Sequence, residues 1–129
     1  PVAHELLHDD GITLYIAGGW IMKRNSSCRG LSAERFFKEL TVDKSYCGAD
    51  SINVNVGTSS VDFDPRTEIC VSKCGVQRYV LVDSSKFNVR PFIDKGMKIE
   101  DIHHVITNDD VSKENIDALK ASGVDVLLA

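Results

Sequence analysis

The chain has 129 residues, of which 43% are hydrophobic and 26% charged; this suits one globular domain with an ordinary core and excludes a disordered or fibrous protein. Fifteen Lys and Arg residues against 19 Asp and Glu residues give a net charge of -4, which argues against a nucleic-acid-binding surface on this segment. Because no apolar run approaches the roughly 20 residues of a membrane span and no signal peptide is apparent, we expect a cytoplasmic protein without a membrane partner.

Near the start of the chain, residues 4 to 11 read HELLHDDG. This segment matches the HExxH pattern of zinc proteases. In that pattern two histidines on one face of a helix bind Zn²⁺, and the glutamate acts as general base. The commonest extension of the motif needs a third ligand at a position that Leu14 occupies. We therefore favour the end of an amphipathic helix, with Val2, Leu6 and Leu7 facing inward and the histidines solvated, and keep a zinc hydrolase as an alternative.

Further along, strand-like segments alternate with helix-like segments. Ser32 and Ser112 are placed to cap helices, and Gly123 is placed to end the second of them. Such alternation indicates parallel strands covered by helices on both faces, so the predicted fold class is α/β with a mostly parallel sheet. The sequence predicts strands at 12–17, 44–47, 78–83, 103–108 and 124–129, a loop at 23–30, and helices at 33–40, 66–74 and 113–122.

Cysteines occur at four positions without any CxxC pair. Cys70 and Cys74 are four residues apart on a predicted helix and have a spacing that allows both to bind one metal ion. We favour small buried apolar side chains instead, with reduced thiols throughout.

Polar or glycine-rich residues follow the predicted strands. In parallel sheets, ligands bind beyond the carboxyl ends of the strands, near helix N-termini. Glycines let backbone N–H groups approach a phosphate, a lysine adds positive charge, and carboxylates accept hydrogen bonds from sugar hydroxyls. Each group also has a purely structural interpretation, because paired glycines form turns and Asp83 can cap one. The groups that follow the strands are Gly18 and Gly19, residues 48–50, residues 83–86 and residues 107–109.

The order of these motifs resembles the C-terminal effector domain of DeoR-type transcriptional regulators. The family patterns are roughly ADKAFxGADGI, GLTT, LADSSKF and IDTxITD, and the similarity runs over essentially the whole chain, with DSSKF as its most specific element. The corresponding segments are GG at 18–19, VDKSYCGADSI at 42–52, TS at 58–59, LVDSSKF at 81–87, IHHVITND at 102–109 and ALKASGVDVLLA at 118–129.

This resemblance implies a bacterial repressor whose winged helix-turn-helix domain binds operator DNA and whose effector domain senses a phosphorylated sugar. It implies a fold similar to ribose-5-phosphate isomerase and the glucosamine-6-phosphate isomerases, a homo-oligomer, and no cofactor or metal. The DNA-binding domain and the first strand of the effector domain would then lie outside residues 1–129. By position, and together with the strand-end chemistry above, the expected ligand-binding residues are Gly18, Gly19, Lys23, Arg24, Asp50, Thr58, Ser59, Asp83, Ser85 and Lys86.

The chain departs from the family pattern at several positions. Met22 stands where the family often has arginine, with Lys23 and Arg24 as candidate substitutes, and Glu68 stands where many members have a basic residue. An aldose-ketose phosphate isomerase of the same fold is the alternative function, and it requires a carboxylate base. Asp50 and Glu68 are the candidates, but Ser51 replaces the acidic residue of the isomerase pattern GADE. We therefore assign no catalytic residue.

Overall fold

The structure is a computed structural model that describes residues 2–61, 64–89 and 96–129. Within these ranges no helix is long and apolar enough to cross a membrane. Short 3₁₀ turns cover Ser84–Lys86 and Ile99–Asp101. The helices are α1 (Val2–Leu6), α2 (Leu31–Lys38), α3 (Arg66–Cys74) and α4 (Lys113–Ala121). The strands are β1 (Trp20–Met22), β2 (Ser27–Arg29), β3 (Val42–Gly48), β4 (Ser51–Asn53), β5 (Gly57–Ser59), β6 (Gly75–Leu81), β7 (His104–Thr107) and β8 (Asp125–Leu128).

Strands β3, β6, β7 and β8 form a four-stranded parallel sheet in that order. Helix α3 packs on this sheet through a hydrogen bond in which Ser45 Oγ donates to the carbonyl oxygen of Ser72 at 2.9 Å. Helix α4 packs through Leu119, which shares a buried apolar cluster with Val80 and Val105. The predicted α/β class with a parallel sheet is confirmed.

The opposite face of the sheet carries a row of stacked rings. Tyr46, Tyr79 and His104 are register partners on β3, β6 and β7. Their ring centroids lie 4.7 Å apart for the two tyrosines and 4.3 Å apart for Tyr79 and His104. Side chains alternate between the two faces of a strand, so this row points away from the face on which α3 and α4 pack.

The helix boundaries agree with the sequence prediction for α3 and α4. The predicted helix over residues 66–74 coincides with α3. Ser112 caps α4, since its side chain accepts a hydrogen bond from Asn115 N at 3.3 Å, and Gly123 follows the helix with a φ of 83°. The prediction that Ser32 caps α2 is wrong. Because β2 ends at Arg29, the helix begins directly afterwards, with Gly30 at the N-cap position.

The predicted strand at residues 12–17 is wrong. This segment belongs to no strand in the structure, and Tyr15 and Ile16 are exposed. A β-prone sequence needs a neighbouring strand to satisfy its backbone N–H and C=O groups, and none of the described residues supplies one here. The predicted loop at 23–30 is wrong in part, because β2 lies within it and pairs with β1 in an antiparallel hairpin.

The HELLH segment forms α1 and the turn that follows it. His4 and His8 are exposed, as predicted for a solvated helix end, and Leu6 is partly buried. The expectation that Val2 and Leu7 face inward is wrong, since they are 72% and 62% exposed. In the parts of the chain that the structure describes, no three His, Cys, Asp or Glu side chains come close enough to hold a metal ion.

Replacing Leu119 with alanine tests the core. Leu119 is 1% exposed, so we expect Leu119→Ala to lower the free energy of unfolding by about 2–5 kcal/mol through lost apolar burial and a residual cavity. Urea denaturation measures the change. Leu31→Ala is the matched control, because Leu31 is 62% exposed on α2 and its loss is expected to change stability by less than about 0.5 kcal/mol. Equal effects of the two substitutions would contradict this account of the core.

Candidate ligand-binding site

A cavity of about 390 Å³, lined by both apolar and polar residues, lies beyond the carboxyl end of β3. Its walls come from segments that are distant in the sequence: the β1–β2 hairpin, the end of β3, strand β5 and the first two turns of α3. This position matches the rule that ligands of parallel sheets bind beyond strand ends and beside helix N-termini. Its polar and charged lining residues include Arg24, Asn25, Ser27, Arg29, Asp50, Thr58, Ser59, Ser60, Thr67 and Glu68.

In one wall of this cavity, a buried arginine pairs with a partly exposed glutamate. Arg29 on β2 is 5% exposed, and its Nη2 pairs with Oε1 of Glu68 in the first turn of α3. The same guanidinium donates from Nε to Ser27 Oγ at 3.3 Å and from Nη1 to the carbonyl oxygen of Asp64 at 3.5 Å. A buried charge is tolerated only when it is paired and hydrogen-bonded. The pair therefore fixes the hairpin against the helix.

The second carboxylate oxygen of Glu68 is in a different situation. Oε2 of Glu68 is buried and accepts no hydrogen bond from any residue that the structure describes. Such an oxygen is costly, because it has lost its hydration without gaining a donor. Glu68 thus lines the cavity with other parts of its side chain, while this oxygen faces the protein interior.

Asp50 and the backbone around it shape the end of the cavity at β3. The Oδ2 atom of Asp50 accepts hydrogen bonds from Val61 N at 3.0 Å and Ser60 Oγ at 3.4 Å. The backbone N–H of Asp50 donates to the carbonyl oxygen of Ser59 at 3.2 Å. These bonds hold the carboxylate of Asp50 and the hydroxyl-bearing segment 59–60 side by side.

Thr58 joins β5 to the segment that begins at residue 96. Its backbone N–H donates to Met97 O at 2.8 Å, and its Oγ1 accepts from Met97 N at 2.8 Å. Gly57 makes this contact possible: it has a φ of 97°, and a Cβ at that position would overlap the carbonyl oxygen of Met97. The hydroxyl of Thr58 thus has a structural contact while the residue also lines the cavity.

Gly18, Gly19 and Lys23 do not line the cavity described above. Gly19 has a φ of 96°, and a Cβ there would overlap the carbonyl oxygen of Arg29. The glycine therefore lets β1 approach β2 closely and supports the strand that carries Arg29. Lys23 is exposed in the hairpin turn.

Asp83, Ser85 and Lys86 form a separate turn after β6. The carboxylate of Asp83 accepts hydrogen bonds from the backbone N–H of Ser85, at 2.8 Å, and from its hydroxyl. These bonds lower the pKa of Asp83 below its usual range. Ser84 N donates to Asn108 Oδ1 at 2.7 Å, which links this turn to the end of β7. The turn is thus held by local hydrogen bonds and is not among the described residues that line the cavity.

The thiol of Cys47 forms part of the cavity wall. Burial raises its pKa to about 12, with smaller contributions from Cys74 and Glu68. Its Sγ donates weakly to the carbonyl oxygen of Glu68 at 4.0 Å. Cys47, like Cys28, Cys70 and Cys74, is a free cysteine, and the raised pKa keeps it in the thiol form at neutral pH.

The sequence prediction and the cavity overlap in part. Arg24, Asp50, Thr58 and Ser59 line the cavity, whereas the other six expected ligand-binding residues lie outside its described lining. Sequence reasoning missed Arg29, which fell in a predicted loop, although Glu68 stood out as an acidic residue where the family pattern is basic. Their positions differ by 39 residues, and no local pattern signals their pairing.

A parallel sheet with a cavity beyond a strand end defines the class of the protein as an α/β domain with a ligand-binding arrangement. The family model of the DeoR C-terminal sensor domain matches residues 1–109, and the chain belongs to this family. It is a sensor domain of DeoR-type transcriptional regulators, with the fold expected from the sequence motifs.

Three curated relatives are transcriptional regulators by name. The chain is 29% identical over 129 residues to the "Putative aga operon transcriptional repressor" of Escherichia coli O157:H7, with 98% of the chain and 47% of the relative covered. It is 29% identical over 109 residues to "Transcriptional repressor AccR" of Agrobacterium fabrum, covering 83% and 42%. It is 22% identical over 129 residues to "Uncharacterized HTH-type transcriptional regulator YgbI" of Escherichia coli K12, covering 99% and 50%. The chain spans about half the length of these relatives.

Alkylation of Cys47 tests the chemical environment of the cavity wall. Thiolate is the reactive form, and a pKa of about 12 leaves far less thiolate at pH 8 than an unperturbed cysteine with a pKa of about 8.5. We expect Cys47 in the folded protein to react with iodoacetamide at least about 100-fold more slowly than in urea, and its rate to rise with pH. Peptide mass spectrometry follows the modification. Similar rates in the two states would contradict the burial of this thiol.

Proposed function

We propose that this domain senses a phosphorylated sugar, or a chemically related metabolite, within a bacterial transcriptional repressor. The observation that carries the proposal is the composition of the cavity. Arg24 from the hairpin turn, Asp50 from the end of β3, and Thr58 and Ser59 from β5 line one space, although three separate segments supply them. All four were expected ligand contacts.

The chemistry of the cavity suits both parts of such a ligand. A guanidinium group binds phosphate oxygens strongly through charge-assisted hydrogen bonds. Carboxylates and hydroxyls in the same cavity accept from, or donate to, the hydroxyls of a sugar. Gly19 supports this site indirectly, because it lets β1 approach the strand that carries Arg29.

Operator binding belongs to the whole protein in this proposal. The relatives named as repressors are about twice as long as the chain, and we place DNA binding in a winged-helix domain outside these 129 residues, in a cytoplasmic homo-oligomer. The whole protein then exists in two conformational states that differ in their affinity for operator DNA. The ligand binds one of these states more tightly than the other and so changes operator affinity. The net charge of -4 on the sensor segment agrees with this division of roles.

An isomerase activity is the alternative that shares this fold. Its two candidate bases, Asp50 and Glu68, line the same cavity. Glu68, however, is engaged with Arg29, and Asp50 accepts from Val61 N and Ser60 Oγ. A general base must reach the proton that it removes, and these contacts instead favour binding. We therefore propose a domain without catalytic residues, cofactor or metal.

A ligand panel tests the proposed function. The intact protein is titrated with phosphorylated pentoses, hexoses and hexosamines, with thermal denaturation as the readout, since a ligand that binds the native state raises the melting temperature. We expect at least one phosphorylated sugar to raise it and its unphosphorylated form to have a much smaller effect. The same mixtures are assayed for isomerised product. If no compound raises the melting temperature, sugar-phosphate sensing is refuted. Formation of isomerised product would favour the isomerase. Elemental analysis that finds one zinc ion per chain in untagged protein would favour the zinc hydrolase.

The two neighbouring basic residues of the hairpin turn offer a matched comparison. Arg24 lines the cavity, whereas Lys23 does not. We expect Arg24→Gln to weaken binding of the phosphorylated ligand by about tenfold or more, because a charged hydrogen bond is lost, and Lys23→Gln to change it less than threefold. Isothermal titration calorimetry measures both affinities. A larger loss in Lys23→Gln would place the phosphate elsewhere.

A further inference from the structure

The N-terminal end of α3 opens into the cavity described above, since Pro65 at its N-cap position and Thr67 and Glu68 in its first turn all line that cavity. The first backbone N–H groups of a helix have no acceptor within the helix. The N–H of Arg66 donates to Oδ1 of Asp64 at 3.2 Å. The N–H groups of Thr67 and Glu68 donate to no acceptor among the residues that the structure describes. Two unsatisfied donors therefore lie at the cavity wall.

The side chain of Thr67 adds a third donor at the same place. Thr67 is 6% exposed and lines the cavity, and its hydroxyl makes no hydrogen bond with any residue that the structure describes. The hydroxyl still has accessible surface, because the fully buried side-chain oxygens without a partner in the described chain are Oε2 of Glu68 and Oγ1 of Thr107. A polar group that is so deeply buried normally has a hydrogen-bond partner. A ligand in the cavity can supply one.

Two carboxylates in the cavity lining bear on the charge of such a ligand. Glu68 belongs to the same helix turn as the free donors, but its Oε1 pairs with Arg29, so the charge of this carboxylate is compensated. Asp50 follows the end of β3, where its carboxylate accepts hydrogen bonds from Val61 N and Ser60 Oγ. A carboxylate in that position suits the hydroxyls of a sugar.

A phosphate group has the chemistry that the three donors at the start of α3 require. Helix N-termini bind anions because the free N–H groups and the helix dipole both favour negative charge. A phosphate has more acceptor oxygens than one arginine can satisfy, since a guanidinium group binds it through two parallel hydrogen bonds. Its other oxygens need further donors, and the start of α3 provides them.

We infer that the phosphate group of the ligand binds at the start of α3, where it accepts hydrogen bonds from the N–H groups of Thr67 and Glu68 and from the hydroxyl of Thr67. This inference rests on the proposed function and assigns one end of its ligand to a position in the cavity. The sugar then extends toward Asp50 and the hydroxyl-bearing segment 58–60. Thr67 is thus a ligand-binding residue outside the set expected from the sequence motifs.

Removal of one hydroxyl tests this site. The probe is the phosphorylated sugar that raises the melting temperature of the intact protein most in the ligand panel, and isothermal titration calorimetry measures its affinity. Thr67→Val keeps the shape of the side chain and the backbone N–H but removes the hydroxyl. We expect binding to weaken by about tenfold, as for the loss of a hydrogen bond to a charged group. Thr67→Ser keeps the hydroxyl and is expected to bind within about threefold of the wild type.

Thr107→Val is the matched control. Thr107 is 3% exposed, its Oγ1 is fully buried without a partner, and it is not among the described residues that line the cavity. The same chemical change at this position is expected to leave the affinity unchanged. Thermal denaturation verifies that each variant is folded, and Thr67→Ala takes the place of Thr67→Val if that variant does not fold.

Amide NMR of the intact wild-type protein tests the backbone donors, with inorganic phosphate as the probe. An N–H group that begins to donate to an anion gains a charge-assisted hydrogen bond. The amide proton signals of Thr67 and Glu68 are therefore expected to move downfield as phosphate is added. The signal of Asn115 is expected to stay in place, because its N–H already donates to Ser112 Oγ at 3.3 Å at the start of α4.

The outcomes separate this inference from the proposed function. If no phosphorylated sugar binds the wild-type protein, both fail. If a phosphorylated sugar binds but folded Thr67→Val keeps the wild-type affinity, or weakens binding no more than Thr107→Val does, sensing stands and the phosphate site at α3 is overturned. The site is also overturned if phosphate leaves the amide signals of Thr67 and Glu68 in place, and this measurement decides the inference if no variant at position 67 folds.

Discussion

The ion pair between the buried guanidinium of Arg29 and the partly exposed carboxylate of Glu68 is the interaction on which one wall of the cavity depends. It joins a short hairpin to the first turn of α3, and it acts together with the hydrogen bond from Arg29 to Asp64 O and with helix α2, which follows the hairpin directly and packs on α3. Removing Glu68 would leave the guanidinium of Arg29, which is 5% exposed, without this counter-charge, and a buried charge without compensation is costly. The hairpin therefore stays against the helix, and the cavity has a closed wall on that side.

The central sheet gives this ion pair a fixed frame. Helix α3 contacts β3 through the hydrogen bond from Ser45 to Ser72 and through the thiol of Cys47. Both contacts come from side chains on one face of the strand, because alternate residues point the same way. These contacts fix the position of α3 along β3. Glu68 therefore lies beside the end of this strand, which Asp50 follows. The position of the cavity is thus a consequence of how α3 is placed along β3.

Much of this frame could be predicted from the sequence. The parallel strands, helix α3 and the Ser112 cap of α4 followed from hydrophobic alternation and capping chemistry, which are local signals. The strand-end rule also indicated Asp50 correctly as a residue beside a cavity. The hairpin of β1 and β2 was missed because its strands have only three residues each, too short for any periodicity to show.

The remaining features depend on contacts between distant residues. The segment 12–17 has the composition of a strand, but composition alone supplies no partner, and the structure shows it unpaired within the described residues. Arg29 and Glu68 are ordinary surface residue types in the sequence, and only the fold makes one of them 5% exposed and gives it the other as counter-charge. Burial creates the need for pairing. The fold thus gives Glu68 a role that no local sequence pattern signals: its carboxylate is the counter-charge of Arg29.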